Sequence, residues 1–235
     1  MTDFDNLYRE LTLQLNTLYK KFIEPFIELI EHSEDNSFKS TLRFKDKDSL
    51  HQSNYALDVN AYTVLSHAAL EEYFEQITLK IVELSHQTWK EKQTFNDSLV
   101  TLVYFVLSRT EKKMKLKVKF KDVQERIRLA KAKNHIDELL GFCEDFFKIH
   151  IEGSHGIGFE YLMELLIPVA IDINQDVDMM RSLAKLKEER GEFAHKKGSV
   201  GSISTPVEIY LHVEKCKELA KDVKDQANQK FVGIQ

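Results

Sequence analysis

Phe4, Leu7, Leu11, Leu15, Leu18, Phe22, Phe26, Leu29 and Ile30 recur at the spacing of one helix face, so the opening of this chain is committed to an amphipathic α-helix. The spacing predicts a helix over residues 4–33, kinked at Pro25 and ending in the polar run His32 to Ser37. The same period returns over residues 54–92, 95–109, 122–149, 159–170, 179–195 and 206–230. Only 8 glycines and 3 prolines stand among 235 residues to interrupt it. An all-α fold is expected, an up-down bundle in one domain. Residues 1–53 form its N-terminal helix and loop arm, and residues 54–235 form the core.

One stretch breaks the period. From Met114 to Lys121 apolar and lysine residues alternate, which is strand periodicity. A lone strand needs a partner, and Thr41-Leu42-Arg43-Phe44, within the otherwise loop-like residues 38–53, is the best match. A small two-stranded β insertion is therefore expected, its lysine face deterring edge pairing. At the other end of the chain, Thr205-Pro206-Val207-Glu208 spells a capping box with proline at the first helical position, so the last helix should start there.

The chemistry concentrates late in the sequence. Met179, Leu183, Leu186 and Phe193 trace one helix face, and Arg190 occupies a rung of that ladder. A guanidinium in an apolar stripe must stay partly wet or meet a partner. His195 follows five residues later, just before the stop signal Lys196-Lys197-Gly198. At about 100° per residue the two are roughly 140° apart, within reach of one ligand for a long arginine. A permanent bidentate cation beside a group that exchanges protons near neutrality suits a phosphodiester. The plainer alternative pairs Arg190 with Glu71 or Glu72 in the core and makes His195 a helix C-cap.

Arg-x-x-x-x-His at a helix end resembles the HEPN superfamily. The helix from Asn60 to Glu75 and the run Leu165 to Asp172 are similar to its RiboL-PSP-HEPN-like branch. The resemblance spans most of residues 55–225. It implies an all-helical endoribonuclease that needs no metal or cofactor. Arg190 and His195 would be catalytic, and two copies would share one cleft as a homodimer. A place in phage defence or a toxin–antitoxin pair, with an antitoxin or defence partner protein, is implied by the family alone. One departure stands beside it: active relatives often carry a polar residue after the arginine, and this chain has Gly191.

Other groups support this site. His67 and Glu71 share a helix face at i,i+4, Glu72 follows, and Glu192 lies within a turn of His195, where it can tune the imidazole. No metal site is expected: His150 and His155 have no further ligands at useful spacing, and Cys143 and Cys216 show no C-x-x-C pattern. The net charge of −5 is not that of a general nucleic-acid binder. Locally the balance reverses. Lys112, Lys113, Lys115, Lys117, Lys119, Lys121, Arg126 and Arg128 are opposed only by Glu111, Asp122 and Glu125, a patch that can follow an RNA backbone or simply face solvent. No apolar run approaches the roughly 20 residues of a membrane span, and the N-terminus lacks a signal-peptide pattern. A cytoplasmic protein with no membrane partner is expected. The rival class is a non-catalytic helical module that binds RNA, a nucleotide or a partner protein through the same groove.

Overall fold

The computed structural model describes residues 2–34, 37–46, 50–113, 124–125, 127–129, 135–153, 156–173, 176–195 and 204–232. For residues 30–34, 37–40, 111–113 and 193–195 the description is of the backbone alone. Helix α1 runs Asp3–Phe22 behind a complete capping box, in which Thr2 and Asp5 each accept the other's backbone N–H at 3.0 Å. It stops there instead of continuing to residue 33. Pro25 has no N–H to donate and pushes the residue before it out of the helical region, so the expected kink is an end.

The released residues form a strand. β1 (Ile27–Glu34) pairs antiparallel with β2 (Ser37–Phe44), setting Ile27 opposite Phe44 and Leu29 opposite Leu42. Residues 26–30 satisfy helical spacing and, through Ile27 and Leu29, strand alternation; the proline decides between them. The two-stranded insertion thus exists, with a different partner. Residues 41–44 pair with 27–30, whereas Lys115, Lys117, Lys119 and Lys121 lie outside the described residues.

Everything else is organised around α2 (Gln52–Lys92), 41 residues that touch every other helix. Tyr62, Leu70, Phe74, Ile77 and Ile81 are sealed inside it, and Tyr73 Oη donates to Ala220 O at 2.8 Å on the last helix. Helix α1 joins the same apolar cluster through Phe4, Leu11 and Leu15. α3 (Asp97–Lys113) and α4 (Ile136–Glu152) follow, helical residues at 124–125 and 127–129 preceding α4. α5 (Phe159–Leu166) runs into a short 3-10 turn, Ile167–Val169. Pro168 ends the α-helix there, and the freed carbonyls of Pro168 and Val169 accept hydroxyls from Thr101 and Ser98 of α3, both at 2.8 Å. Finally α6 (Val177–His195) and α7 (Pro206–Lys230) pack against one another and on α2. The capping box read from the sequence is present at the start of α7: Thr205 Oγ1 accepts from Glu208 N at 3.2 Å and Glu208 Oε2 from Thr205 N at 2.8 Å. Among the described residues no helix is long and apolar enough to cross a membrane.

Candidate active site

Helix α6 starts on Asp176, whose carboxylate accepts the N–H groups of Asp178 and Met179 at 3.0 Å. From that start Met179, Leu183 and Leu186 face inward and are buried, as the ladder requires. The next rung, Arg190, is half-buried at the junction of α6 with α2 and the loop 156–158. Among the described residues no carboxylate lies within ion-pair distance of its guanidinium. The core ion pair expected as the plainer alternative is therefore not formed.

Its two candidate partners are engaged elsewhere. Glu71 Oε1 accepts the Gly156 N–H, and Glu71 Oε2 stands 3.7 Å from His67 Nδ1. Glu72 sits one residue, or about 100°, further round α2. It accepts from Gln76 Nε2 at 2.9 Å and lines a groove with Leu7 and Leu11 of α1, so it does not support this site.

His67 does. Its side chain is 1% exposed, and neither ring nitrogen has a well-aligned hydrogen-bond partner among the described residues. Burial lowers its pKa to about 4, the Arg190 charge adds to the effect, and Glu71 opposes it. At neutral pH the ring is uncharged, so it adds no second positive charge beside the guanidinium.

The glycine loop that the sequence marked only as a connection closes this corner. Gly156 has φ +93°, and a Cβ there would lie 2.8 Å from Arg190 Nη1. At Gly158 a Cβ would come within 2.8 Å of Lys187 Nζ. The two small residues therefore let the main chain lie directly against both cations. Just behind the loop, Tyr161 Oη donates to Glu75 Oε1 at 2.6 Å. Burial first, and then this carboxylate, hold the phenol well above its usual range. Lys187, Gly156, Gly158 and Tyr161 went unread as site residues, because only the tertiary fold brings 156–161 over α6.

The model of the RiboL-PSP-HEPN family matches residues 28–229. The chain belongs to this family. No curated protein and no solved structure matches. HEPN-type domains are commonly associated with ribonucleases.

The remaining expected site residues fall into two groups. Backbone positions are described for some: α6 reaches His195 and α3 reaches Lys112 and Lys113, but those side chains lie outside the described residues, as does Arg126. Within α6, position 195 shares the helix face of Val177, Ala184 and Gly191, opposite the core-facing rungs, at about 100° per residue. Val177 is 69% exposed, Ala184 is exposed, and a Cβ on Gly191 would meet nothing within 4 Å. Glu192 is half-buried on the same helix. Arg128 is fully described and exposed, and its guanidinium is held by Glu125 at 2.7 and 3.0 Å. Such a pair lets go of its carboxylate at little cost.

Behind Arg190 the HEPN core holds a second polar group that sequence reasoning missed. Glu189 is 7% exposed and accepts from Ser204 Oγ, with Lys185 Nζ at 3.4 Å. Nearby Ser182 donates to Asp178 O at 2.8 Å, and His212 Nδ1 lies 3.0 Å from Ser182 Oγ. With the hydroxyl proton already committed, the imidazole is the donor. This cluster joins α6 to α7 and to Ser204, just before α7 begins. Cys143 and Cys216 are buried, and desolvation pushes both thiols up to about 12, which removes them as nucleophiles near neutral pH. Among the described residues no group of three or more His, Cys, Asp or Glu is placed to hold a metal ion.

Proposed function

We propose that this HEPN chain is a metal-independent endoribonuclease that cleaves RNA by attack of the ribose 2′-OH on the adjacent phosphate. The observation that carries this reading is Arg190, half-buried and without a counter-ion among the described residues. A desolvated guanidinium is costly unless a ligand completes it, and a phosphate oxyanion matches its fork in geometry and charge. Arg190 holds the phosphate and stabilises the charge added in the transition state. Lys187, three residues earlier, extends the cationic edge. The nucleophile belongs to the substrate, so positioning replaces much of the work of activation. His195 takes or returns the proton, a task suited to an imidazole.

A single histidine serves poorly on both sides of an in-line displacement. A homodimer through the outer face of α6 supplies a second one. The open surroundings of Gly191 and the exposure of Val177 and Ala184 favour close helix approach on that face. Lys112, Lys113, Lys115, Lys117, Lys119, Lys121, Arg126 and Arg128 guide the RNA backbone, and a toxin–antitoxin or phage-defence setting in the cytoplasm fits such an activity.

The test is RNA cleavage in EDTA by wild type, Arg190→Ala and His195→Ala. Wild type alone should cleave, leaving 2′,3′-cyclic phosphate ends, while DNA survives. RNA intact in every buffer, with wild type still binding it, would assign the groove to a non-catalytic binding module.

A further inference from the structure

Helix α4 carries two apolar faces, and only one of them is used. Ile136, Leu140, Cys143, Phe147 and Ile151 are buried in the core. Leu139, Phe142, Phe146 and Ile149 form a second stripe at steps of three, four and three, about a third of a turn away. Phe142 is 51% exposed and Ile149 69% exposed, with Leu139 and Phe146 half-buried between them. The Phe142 and Phe146 rings lie 6.3 Å apart, so the middle of the stripe is a continuous aromatic surface. Such a seven-residue repeat is the seam that a second helix reads.

Charge decides what kind of helix. Along the solvent border of the stripe run Glu138, Asp145 and Glu152, one per heptad, all exposed. Asp145 and Glu152 have no ion-pair partner among the described residues, and Glu138 meets only His135, at 3.2 Å. The inner border is Phe105, whose ring stacks against His150 at 5.4 Å and under Arg109 at 4.7 Å. A guest therefore finds apolar anchors flanked by one row of exposed carboxylates. A second copy of this chain fits badly. Laid antiparallel along the same seam, Asp145 would face its own counterpart and Glu138 the other copy's Glu152, and like charges so placed are repulsive. The stripe is also short, about 15 Å from Leu139 to Ile149 at about 1.5 Å per step.

We infer that the outer face of α4 is a docking surface for an amphipathic helix of another protein. That helix carries apolar residues in heptad register and lysine or arginine on the flank that meets Glu138, Asp145 and Glu152. The surface is separate from the Arg190 corner and does not depend on the RNA reading.

The experiment uses the full chain and two labelled helical peptides of three heptads, both with leucine at the seam. One has lysine beside the seam and the other glutamate. Fluorescence anisotropy should show the lysine peptide binding at least about tenfold tighter. Asp145→Lys with Glu152→Lys should reverse that preference. Phe142→Ser with Ile149→Ser, both already largely exposed and hence tolerable to the fold, should weaken either peptide by about tenfold or more. Equal binding of the two peptides, or none, overturns the proposal. So does light scattering of a wild-type dimer that Phe142→Ser with Ile149→Ser turns into monomer, since the occupant would then be a second copy.

Discussion

The molecule contains two corners built from the same three residue types, and they differ in how they are closed. In one, Arg109 and His150 converge on a single carboxylate, Glu164, with His150 Nε2 3.2 Å from its Oε2 and Arg109 bonded to its Oε1. In the other, Arg190 and His67 lie beside Glu71, but that carboxylate is turned to the Gly156 N–H. In both corners burial first, and then the neighbouring guanidinium, lower the histidine pKa. Only the first corner satisfies its arginine from within. Arg109 thus has its carboxylate partner, whereas the Gly156 N–H holds the Glu71 carboxylate that lies beside His67 and Arg190; on the proposed reading that difference separates a structural cation from a functional one.

The comparison breaks most visibly in cleavage. On the proposed mechanism Arg190→Ala should reduce RNA cleavage by at least about 10²-fold, and Arg190→Lys should fail too, because an ammonium cannot make the two-pronged contact. Urea unfolding of Arg190→Ala should stay within about 1 kcal/mol of wild type, since no internal ion pair is lost. Should Arg190→Ala unfold the protein instead, the two corners are alike and both are structural.

The next effect lies in pH. His67 folds with a pKa near 4, below its ordinary value of 6.5. A depressed histidine contributes stability that is present above pH 6.5 and is lost as pH falls through the folded value, because only the unfolded chain takes up the proton in between. The linkage is worth roughly 3 kcal/mol at most. Urea titrations from pH 7 to 4.5 should show His67→Gln with a flatter profile than wild type. Parallel profiles would mean that His67 is already charged in the fold.

Two glycines sharpen the contrast, one against Arg190 and one on the outer face of α6. Gly156→Ala forces a side chain into positive φ and into Arg190, and should cost about 1–2 kcal/mol while lowering cleavage. Gly191→Ala meets nothing and stands within a helix, so the isolated chain should gain up to about 1 kcal/mol. If the outer face of α6 pairs with a second copy, the same change should weaken the dimer in a dilution series. The smallest effect is expected at the closed corner. Arg109→Ala should cost about 1 kcal/mol, since both partners are partly exposed, and leave cleavage within a few-fold of wild type.

Much of this is legible in the sequence alone. The apolar rungs of α6, the intrusion of Arg190 among them and the capping box at Thr205 follow from local spacing, and local rules decide them. The β-hairpin was legible only by halves, because Phe26 to Ile30 satisfies two periods at once and Pro25 was read as a bend. Glu71 and Glu72 were not separated, though about 100° of helix rotation places them in different surroundings. What could not be read is what the tertiary fold brings together: Lys187 against Gly158, Tyr161 onto Glu75, Glu189 beneath Ser204. None of these pairs is local in sequence, and each depends on how helices and loops distant in the chain settle on α2 and α6.

The hydrogen bond from Ser204 to the buried Glu189 has a consequence for where the next helix sits. It pins the end of the segment that follows His195 to the helix that segment has just left. The position of α7 is then independent of how many residues intervene. Each doubling of the intervening length costs only about 0.6 kcal/mol in closure entropy. The start of α7 therefore stays fixed against α6 whatever the length of chain between them, and the helices that carry the proposed chemistry keep their places.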